Sequence, residues 1–156
     1  MEYRICDASD TELAALAALY DDYQAYLASV GLTYEYRQGS AEEIIRARLR
    51  SKLFCVLCAF SGDVPVGFLV FSYQRLPGEY RCGENSVIGY INDLYVSPDC
   101  RRDGIAGALV REAKERMRAS GVTTVELQVV GGNLAGERFW RSQGMVPVRT
   151  IYTQNF

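Results

Sequence analysis

Apolar residues recur at helical spacing in four segments of the chain. A capping box over Ser9–Glu12 predicts the start of the first helix, and a second box over Ser40–Glu43 predicts the start of the next. Each of the last two segments is followed by a glycine, which is a common stop signal for a helix. The predicted helices are approximately 13–28, 41–49, 107–120 and 133–143.

Six other segments have the β-branched and aromatic composition of strands. Two of them flank Ser61-Gly62-Asp63, which is a hairpin signal. The order is therefore β-α-α-β-β-β-α-β-α-β, which predicts an α/β (α+β) fold with a mixed, mostly antiparallel central sheet flanked by helices. We expect one domain over residues 1–156, without repeats or linkers. The predicted strands are Glu2–Cys6, Leu53–Phe60, Val64–Gln74, Ser86–Val96, Val122–Val130 and Val146–Thr153.

The composition narrows the possible chemistry more than it narrows the fold. Of the 156 residues, 49% are hydrophobic and none is histidine. Without histidine the chain has no Ser-His-Asp triad, no Cys-His dyad and no imidazole base. Proton transfer at neutral pH must then use a carboxylate, a tyrosine, a cysteine, an amine or water. The net charge of −2 argues against nucleic acid as the main partner.

The five cysteines do not have the spacing of a disulfide framework. Cys55 and Cys58 form a CxxC on a predicted strand, where residues three apart point to opposite faces. We therefore expect free, buried thiols in a reducing compartment, with no shared metal and no redox pair. The sequence also contains neither a signal peptide nor an apolar run of membrane-spanning length, so we expect a cytoplasmic protein that does not bind membranes.

The segment 93–107 combines a strand, a short loop and the start of a helix. The first amides of a helix have no partners inside the helix, and small residues such as Gly104 and Gly107 let an anion approach them. Arg101 and Arg102 add positive charge. The segment lacks both the Walker pattern and the Rossmann pattern. It therefore indicates either a distinct phosphate or pyrophosphate site or an ordinary strand-to-helix turn.

The same segment resembles the GCN5-related N-acetyltransferases. Arg101-x-x-Gly104-x-Ala106 matches the (Q/R)-x-x-G-x-(G/A) motif of that family, in which it holds the pyrophosphate of acetyl-CoA. Asp93–Pro98 resembles the splayed central strand of the family, and Asn133–Met145 resembles its N-x-x-A-x-x-F-Y-x-x-x-G-F segment. The strong similarity covers approximately 88–148, whereas the first 85 residues match only in the order of elements.

Within the family, the strand and Arg101 look most similar to the spermidine/spermine and diamine acetyltransferase branch. Asn92 stands where that branch tends to have a second acid. The resemblance implies transfer of an acetyl group from acetyl-CoA to a primary amine of a small molecule, such as a polyamine or an amino acid. It also implies a possible homodimer and no metal. The alternatives are an acyl-CoA-binding protein without turnover, or an acetyltransferase that acts on protein N-termini or lysines.

The resemblance also implies where acetyl-CoA would bind. The backbones of Leu94 and Val96 would pair with the pantetheine arm, and the Leu94 amide would polarise the thioester carbonyl. Asn133 would hydrogen-bond the cofactor, while Phe139 and Trp140 would lie beside the sulfur. The implied pyrophosphate ligands are the Arg101 side chain and the amides of Arg102, Asp103, Gly104, Ile105, Ala106 and Gly107.

The acceptor amine must lose a proton before it attacks, because an amine with a pKa near 10.4 is mostly protonated at neutral pH. The carboxylates that could accept this proton are Asp93, Glu84 and, less plausibly, Glu126. On the strand, Asp93 and Tyr95 are expected to share one face. The alternative for Asp93 is an exposed acid, or an acid paired with an arginine.

The thiolate of the leaving CoA needs a proton, and the family often uses a tyrosine where this chain has Trp140. Indole donates hydrogen bonds but does not act as an acid near neutral pH. Either another tyrosine takes this role, with Tyr95 nearest in the motif and Tyr90 and Tyr152 as alternatives, or water protonates the thiolate.

The first helix and the loop after it contain five tyrosines and several acids, in a region that often forms the acceptor wall in this family. These side chains are expected either to receive a cation or simply to pack the helix on the sheet. The tyrosines are Tyr20, Tyr23, Tyr26, Tyr34 and Tyr36, and the acids are Asp21, Asp22 and Glu35.

Overall fold

Five strands form one mixed sheet in the computed structural model, which describes residues 2–156. The first four pair antiparallel in chain order, and the fifth runs parallel to the fourth. This arrangement confirms the predicted mixed, mostly antiparallel sheet. The strands are β1 (Arg4–Asp7), β2 (Phe54–Ser61), β3 (Val64–Arg75), β4 (Val87–Val96) and β5 (Val125–Glu126).

Four helices cover the two faces of the sheet, and each face has its own core. On one face, Leu109 and Met117 of the third helix pack against the strands. A Cβ at Gly89 of β4 would lie 2.4 Å from the Met117 sulfur, so any larger residue there would displace the Met117 side chain. On the other face, Leu16 and Ile45 are completely buried. The helices are α1 (Leu13–Ser29), α2 (Ala41–Arg50), α3 (Ile105–Ala119) and α4 (Leu134–Ser142).

Only the first of the two predicted capping boxes forms. Ser9 and Glu12 bond reciprocally and begin a 3-10 turn that leads into α1. The second prediction is wrong, because the Ser40 hydroxyl donates to the Arg37 carbonyl at 2.6 Å and caps no amide of α2. Glu43 instead pairs with the Arg37 side chain at 2.8 Å.

Two predicted strands differ from the structure. The strand expected over 122–130 pairs with β4 only at Val125 and Glu126, because the chains diverge beyond that point. The strand expected over 146–153 does not form, so the predicted order lacks its last element. In that segment Pro147 removes one backbone donor, and the chain finds no ladder partner among the described residues.

Cys55 and Cys58 border different cores on opposite faces of the sheet, as predicted, and the five cysteines are free thiols. Among residues 2–156, no helix is long and apolar enough to cross a membrane. Over the same residues, no three cysteine or carboxylate side chains form a group that could hold a metal ion.

Candidate functional site

The main opening in the sheet lies where β4 and β5 separate. They pair only at Gly89 with Val125 and at Tyr90 with Glu126. Just beyond that point β4 contains a bulge, because Val70 pairs with Asp93 and Phe71 with Ile91, which leaves Asn92 as an extra residue. A bulge bends the strand and increases its twist, so it carries the end of β4 away from β5. The result is a V-shaped gap beside residues 91–96.

The backbone of β4 is available along this gap. The Ser97 amide donates to the Val66 carbonyl of β3 at 2.8 Å. Because backbone groups alternate in direction along a strand, those of Leu94 and Val96 point away from β3 and toward the gap. The Val96 carbonyl accepts a hydrogen bond from Arg101 Nε at 2.9 Å, which agrees with that direction. These are the two residues expected to pair with an extended ligand.

A turn with unusual backbone geometry joins β4 to α3. Arg102 and Gly104 have φ values of 70° and 81°, both in the left-handed region. Gly104 stands at the N-cap of α3, where no side chain caps the first amides. The only atom near a Cβ built at Gly104 would be the Tyr3 hydroxyl at 3.8 Å, and a Cβ at Gly107 would meet nothing within 4 Å. Open amides at a helix start form a cradle for an anion.

The side chains of this loop do not all point into the cradle. Arg102 and Asp103 are exposed, Ala106 is half-buried, and Ile105 is buried in the core. Arg101 folds back instead: its guanidinium lies 5.5 Å from the ring centres of both Tyr26 and Tyr95. The Arg101 side chain therefore joins the end of β4 to α1, and its contact with a pyrophosphate stays a prediction.

The far wall of the gap comes from α4 and the loop before it. The Asn133 side-chain oxygen accepts hydrogen bonds from the Gly136 amide at 2.9 Å and from the Tyr26 hydroxyl at 2.7 Å. The rings of Phe139 and Trp140 meet edge to face with centroids 5.0 Å apart. Both rings border the same core as Leu94. The structure therefore brings the expected sulfur-side aromatics to the face of the sheet that carries Leu94.

Asp93 lies on the opposite face and has partners of its own. It is 8% exposed and accepts a charged hydrogen bond from Arg48 Nη1 of α2. The Tyr23 hydroxyl of α1 lies near the same carboxyl group. Burial raises the pKa of the Asp93 carboxyl, whereas the Arg48 guanidinium and the Tyr23 hydroxyl oppose that shift. Of the two alternatives from the sequence, the structure shows the acid paired with an arginine.

The tyrosines of α1 mostly pack on the sheet, as the second of the two expectations had it. Tyr20, Tyr23 and Tyr95 form one aromatic cluster with Phe68, at centroid separations near 6 Å. Burial raises the pKa of Tyr95, and the nearby Asp22 charge adds to the rise. The face of Tyr20 is already covered by the Arg48 guanidinium at 5.3 Å.

The loop after α1 contributes less to this cluster. Tyr34 is exposed, and the Tyr36 hydroxyl donates to Asp21 at 2.8 Å. Tyr36 still touches Tyr20, with 6.1 Å between ring centres. The loop tyrosines therefore lie at the rim of the cluster.

The sequence pattern of the acetyltransferase (GNAT) family matches residues 13–145, which include the gap, the cradle and the aromatic wall. The chain belongs to the acetyltransferase (GNAT) family. The family match does not choose among branches, so it leaves the resemblance to polyamine acetyltransferases untested. No curated protein sequence matches this GNAT chain.

Solved GNAT structures share the whole fold at low sequence identity. The aminoglycoside 6'-N-acetyltransferase AAC(6')-Ig from Acinetobacter haemolyticus is 22% identical, with a TM-score of 0.79, covering 98% of this chain and 97% of that one. The aminoglycoside N-acetyltransferase AAC(6')-Iy in complex with CoA is 15% identical, with a TM-score of 0.80 and coverages of 99% and 95%. A ribosomal-protein-alanine N-acetyltransferase from Brucella melitensis is 18% identical, with a TM-score of 0.74 and full coverage of both chains.

Several candidates from the sequence lie apart from this GNAT site. Glu84 is exposed in the turn before β4, at the end of the strand opposite to the cradle. From the start of β4 to Asp93 the strand already spans about 20 Å. Glu126 pairs with Arg149, and Tyr152 is exposed in the segment after α4. Tyr90 pairs with Glu126 on the closed side of the gap.

Sequence reasoning missed Arg48 as a partner of the site. Nothing in the local sequence of α2 marks Arg48 as the partner of a residue 45 positions further along the chain. It also missed the bulge at Asn92, since a bulge leaves no mark in the apolar pattern of β4. The approach of Tyr23 to Asp93 and the bond from Tyr26 to Asn133 needed the packing of α1, which no local motif predicts.

Proposed function

We propose that this chain transfers an acetyl group from acetyl-CoA to a primary amine of a small molecule. The observation that carries the proposal is the open edge of β4 leading directly to the uncapped start of α3. An extended chain ending in a pyrophosphate fits these two features together. Aminoglycosides join polyamines and amino acids as candidate acceptors, because two structural neighbours are aminoglycoside acetyltransferases.

The residues present fit acetyl-CoA on a test of shape and charge. The space that a Cβ at Gly104 would enter is open, and the amides that follow it have no side-chain cap. Acetyl-CoA supplies the acetyl group as an activated thioester. In the proposal, the amides of 102–107 hold the pyrophosphate with the Arg102 side chain nearby, and Leu94 and Val96 pair with the pantetheine arm. The free side-chain amide group of Asn133 is a further donor toward the ligand.

The Leu94 amide is proposed to stabilise the charge that develops on the thioester oxygen. Its direction toward the gap follows from the alternation along β4. A fixed backbone donor of this kind favours the transition state because it needs no reorganisation. Phe139 and Trp140 would keep water from the reacting thioester on the same face.

Asp93 is proposed to accept the proton of the acceptor amine. The nitrogen attacks the carbonyl carbon, the carbon–sulfur bond breaks, and the proton moves to Asp93 directly or through water. The Arg48 guanidinium bonds to the carboxylate and, with the Tyr23 hydroxyl, opposes the rise that burial causes in the Asp93 pKa. Because burial raises the pKa of Asp93, the carboxylate is a stronger base than an exposed aspartate.

The departing thiolate of CoA is proposed to take its proton from Tyr95 or from water. The raised pKa of Tyr95 keeps its hydroxyl protonated at neutral pH. Trp140, in the position where the family often has tyrosine, cannot serve as the acid.

The second candidate function is acyl-CoA binding without turnover. It is favoured by the pairing of Asp93 with Arg48, which leaves the expected base already neutralised. It is also favoured by Trp140, because indole cannot protonate the leaving thiolate. Both candidates require the same cofactor site and differ only in the chemical step.

The test is a panel of amines incubated with acetyl-CoA, with acetylated product measured by mass spectrometry between pH 6 and 9. The panel contains a polyamine, an aminoglycoside, amino acids, a lysine peptide and a peptide with a free N-terminus. We expect product with at least one small amine and much less with Asp93→Asn. The exposed Asp63→Asn is the matched control and should behave like the wild type. Tight CoA binding without any product would establish the second candidate instead.

A further inference from the structure

The bulge in β4 places two consecutive polar side chains on the same face of the sheet. Along a regular strand, neighbouring side chains point to opposite faces. Asp93 faces α2, because Arg48 of that helix donates to its carboxylate. The side-chain oxygen of Asn92 accepts a hydrogen bond from the Ser72 hydroxyl at 2.9 Å. Ser72 shares a face of β3 with Val70, which belongs to the core under α1 and α2. Asn92 and Asp93 therefore lie side by side on that face.

The bond from Ser72 determines which group of Asn92 is available to a ligand. Ser72 is buried and its hydroxyl is the donor, so the Asn92 oxygen already has a partner. Asn92 itself is half-buried. Its amide nitrogen carries two N–H donors, and the described residues leave no buried side-chain nitrogen without a partner. Because this nitrogen has no acceptor among residues 2–156, it is open to solvent and can donate to a bound molecule.

Asn92 lies at the apex of the gap between β4 and β5. Tyr90 is the last residue of β4 that pairs with β5, and Asn92 follows it by two positions. Leu94, whose amide is proposed to hold the thioester oxygen, is another two positions along the strand. Two residues of a strand span about 7 Å. An acceptor whose nitrogen reaches the thioester carbon therefore has its adjacent atoms close to Asn92.

The groups around Asn92 suit an oxygen better than a second ammonium group. The Asp93 charge is already balanced by Arg48. The same guanidinium lies 5.8 Å from the ring centre of Phe54, which pairs with Ser72 across β2 and β3. An ammonium group can only donate hydrogen bonds, and the open group of Asn92 is also a donor. A hydroxyl oxygen can accept from that donor.

We propose that Asn92 selects 1,2-amino alcohols, in which a hydroxyl group stands on the carbon next to the one that carries the reacting nitrogen. The Asn92 side-chain nitrogen donates to the hydroxyl oxygen, and Ser72 holds the other end of the Asn92 amide so that this donor faces the acceptor. The inference rests on the proposed acetyl transfer and names the class of its acceptor.

The first test compares three amines of equal size on the unmodified chain. Ethanolamine, propylamine and 1,2-diaminoethane differ only in the group at the far end, which is a hydroxyl, a methyl or an amine. Each kcat/KM is referred to the concentration of unprotonated amine. We expect ethanolamine to exceed each of the others by about tenfold, the factor that one hydrogen bond supplies. Equal values would overturn the proposal, and so would failure of ethanolamine to react while another amine of the panel is acetylated. Product from no amine at all would instead refute the proposed acetyl transfer.

The second test reverses the chemistry at this one position. Asn92→Asp keeps the size of the side chain and the partner of Ser72, but replaces the open donor with an acceptor of negative charge. The variant should prefer 1,2-diaminoethane to ethanolamine and keep the wild-type KM for acetyl-CoA. The exposed Asn155→Asp is the matched control and should keep the wild-type order of amines. An unchanged order in Asn92→Asp would overturn the proposal, as would equal losses with all three amines, which would indicate a structural role. If Asn92→Asp does not fold, the comparison on the unmodified chain decides.

Discussion

Gly104→Glu tests the cofactor site at the start of α3. The glycine has a φ of 81° and stands at the start of α3 with open space around it. A glutamate there would enter the cradle and place a negative charge among the amides proposed to hold a pyrophosphate. At about 4 Å and an effective dielectric constant of about 20, one pair of like charges repels by about 4 kcal/mol. We therefore expect CoA affinity to fall by several hundredfold.

The same substitution also strains the backbone, and that effect has to be separated from the loss of binding. A side chain in the left-handed region costs about 1–2 kcal/mol, which lowers the melting temperature of a domain of this size by a few degrees. Gly62, in the β2–β3 turn, is the matched control. It has a φ of 59°, and a Cβ there would also meet nothing within 4 Å. Gly62→Glu should lose similar stability and keep its CoA affinity.

Calorimetric titration with CoA and with S-acetylpantetheine makes the comparison specific. S-acetylpantetheine lacks the pyrophosphate, so wild type and Gly104→Glu should bind it within about threefold of each other. The pyrophosphate site at the start of α3 is refuted if Gly104→Glu binds CoA nearly as well as the wild type does. It is also refuted if Gly62→Glu loses CoA binding to the same extent.

Three further predictions follow from individual side chains. Asp93→Asn should lower kcat more than it raises the KM for acetyl-CoA, and it should remove the acid limb of the pH–rate profile. In the wild type that limb should lie above the ordinary aspartate range, because burial raises the Asp93 pKa. Equal losses in kcat and in affinity for acetyl-CoA would show that Asp93 is structural. Tyr26→Phe removes the hydrogen bond to Asn133, worth about 1 kcal/mol, so calorimetry should show a melting temperature lower by about 2–4 °C, and no change would contradict that value. Burial raises the pKa of Cys58 to about 12, so iodoacetamide at pH 8 should leave it unmodified until the chain is unfolded in urea, as peptide mapping would show. The stability that the neutral Cys58 thiol contributes is complete below pH 9 and should be lost as the pH rises toward 12. Alkylation of Cys58 itself in the folded chain at pH 8 would refute its burial.

The fold could be predicted from the sequence where the pattern is local and repeated. The four helices, the β2–β3 hairpin and the start of α3 follow from apolar spacing, glycine and turn residues, and the structure has them within a few residues of the prediction. The second capping box failed because the Ser40 hydroxyl donates to the Arg37 carbonyl and Glu43 pairs with the Arg37 guanidinium. A capping pattern indicates which bonds Ser40 and Glu43 can form, and the neighbouring Arg37 takes both of them.

The strands after α3 were harder to predict from the sequence, because the pairing of a segment depends on the path of its neighbouring strand. The bulge at Asn92 turns the end of β4 away, so residues 127–130 lose a partner that their composition suits. Residues 146–153 keep the composition of a strand and have no neighbour within one copy of the chain.

The candidate site also has one part that the sequence predicts and one part that it does not. Its backbone part, from Leu94 to Gly107, follows from a motif in which each residue has a local reason to be present. Its side-chain part depends on α1 and α2, which lie far away in the sequence. Tyr23 and Arg48 come near Asp93 only because both helices pack on the same face of the sheet.

Arg48 and Arg101 already cover the carboxylate and the aromatic rings that an acceptor ammonium group would otherwise contact. A polyamine site would offer an unpaired carboxylate and open aromatic faces to an ammonium group. Here the Asp93 charge is balanced by Arg48, whose guanidinium also covers Tyr20, and Arg101 lies over Tyr26 and Tyr95. A second cation at this place would have to displace a buried ion pair, and breaking such a pair costs several kcal/mol. Charge at this place therefore favours no cationic amine over another, so in the amine panel we expect spermidine to react no faster than the aminoglycoside, and a faster reaction of spermidine would contradict this prediction.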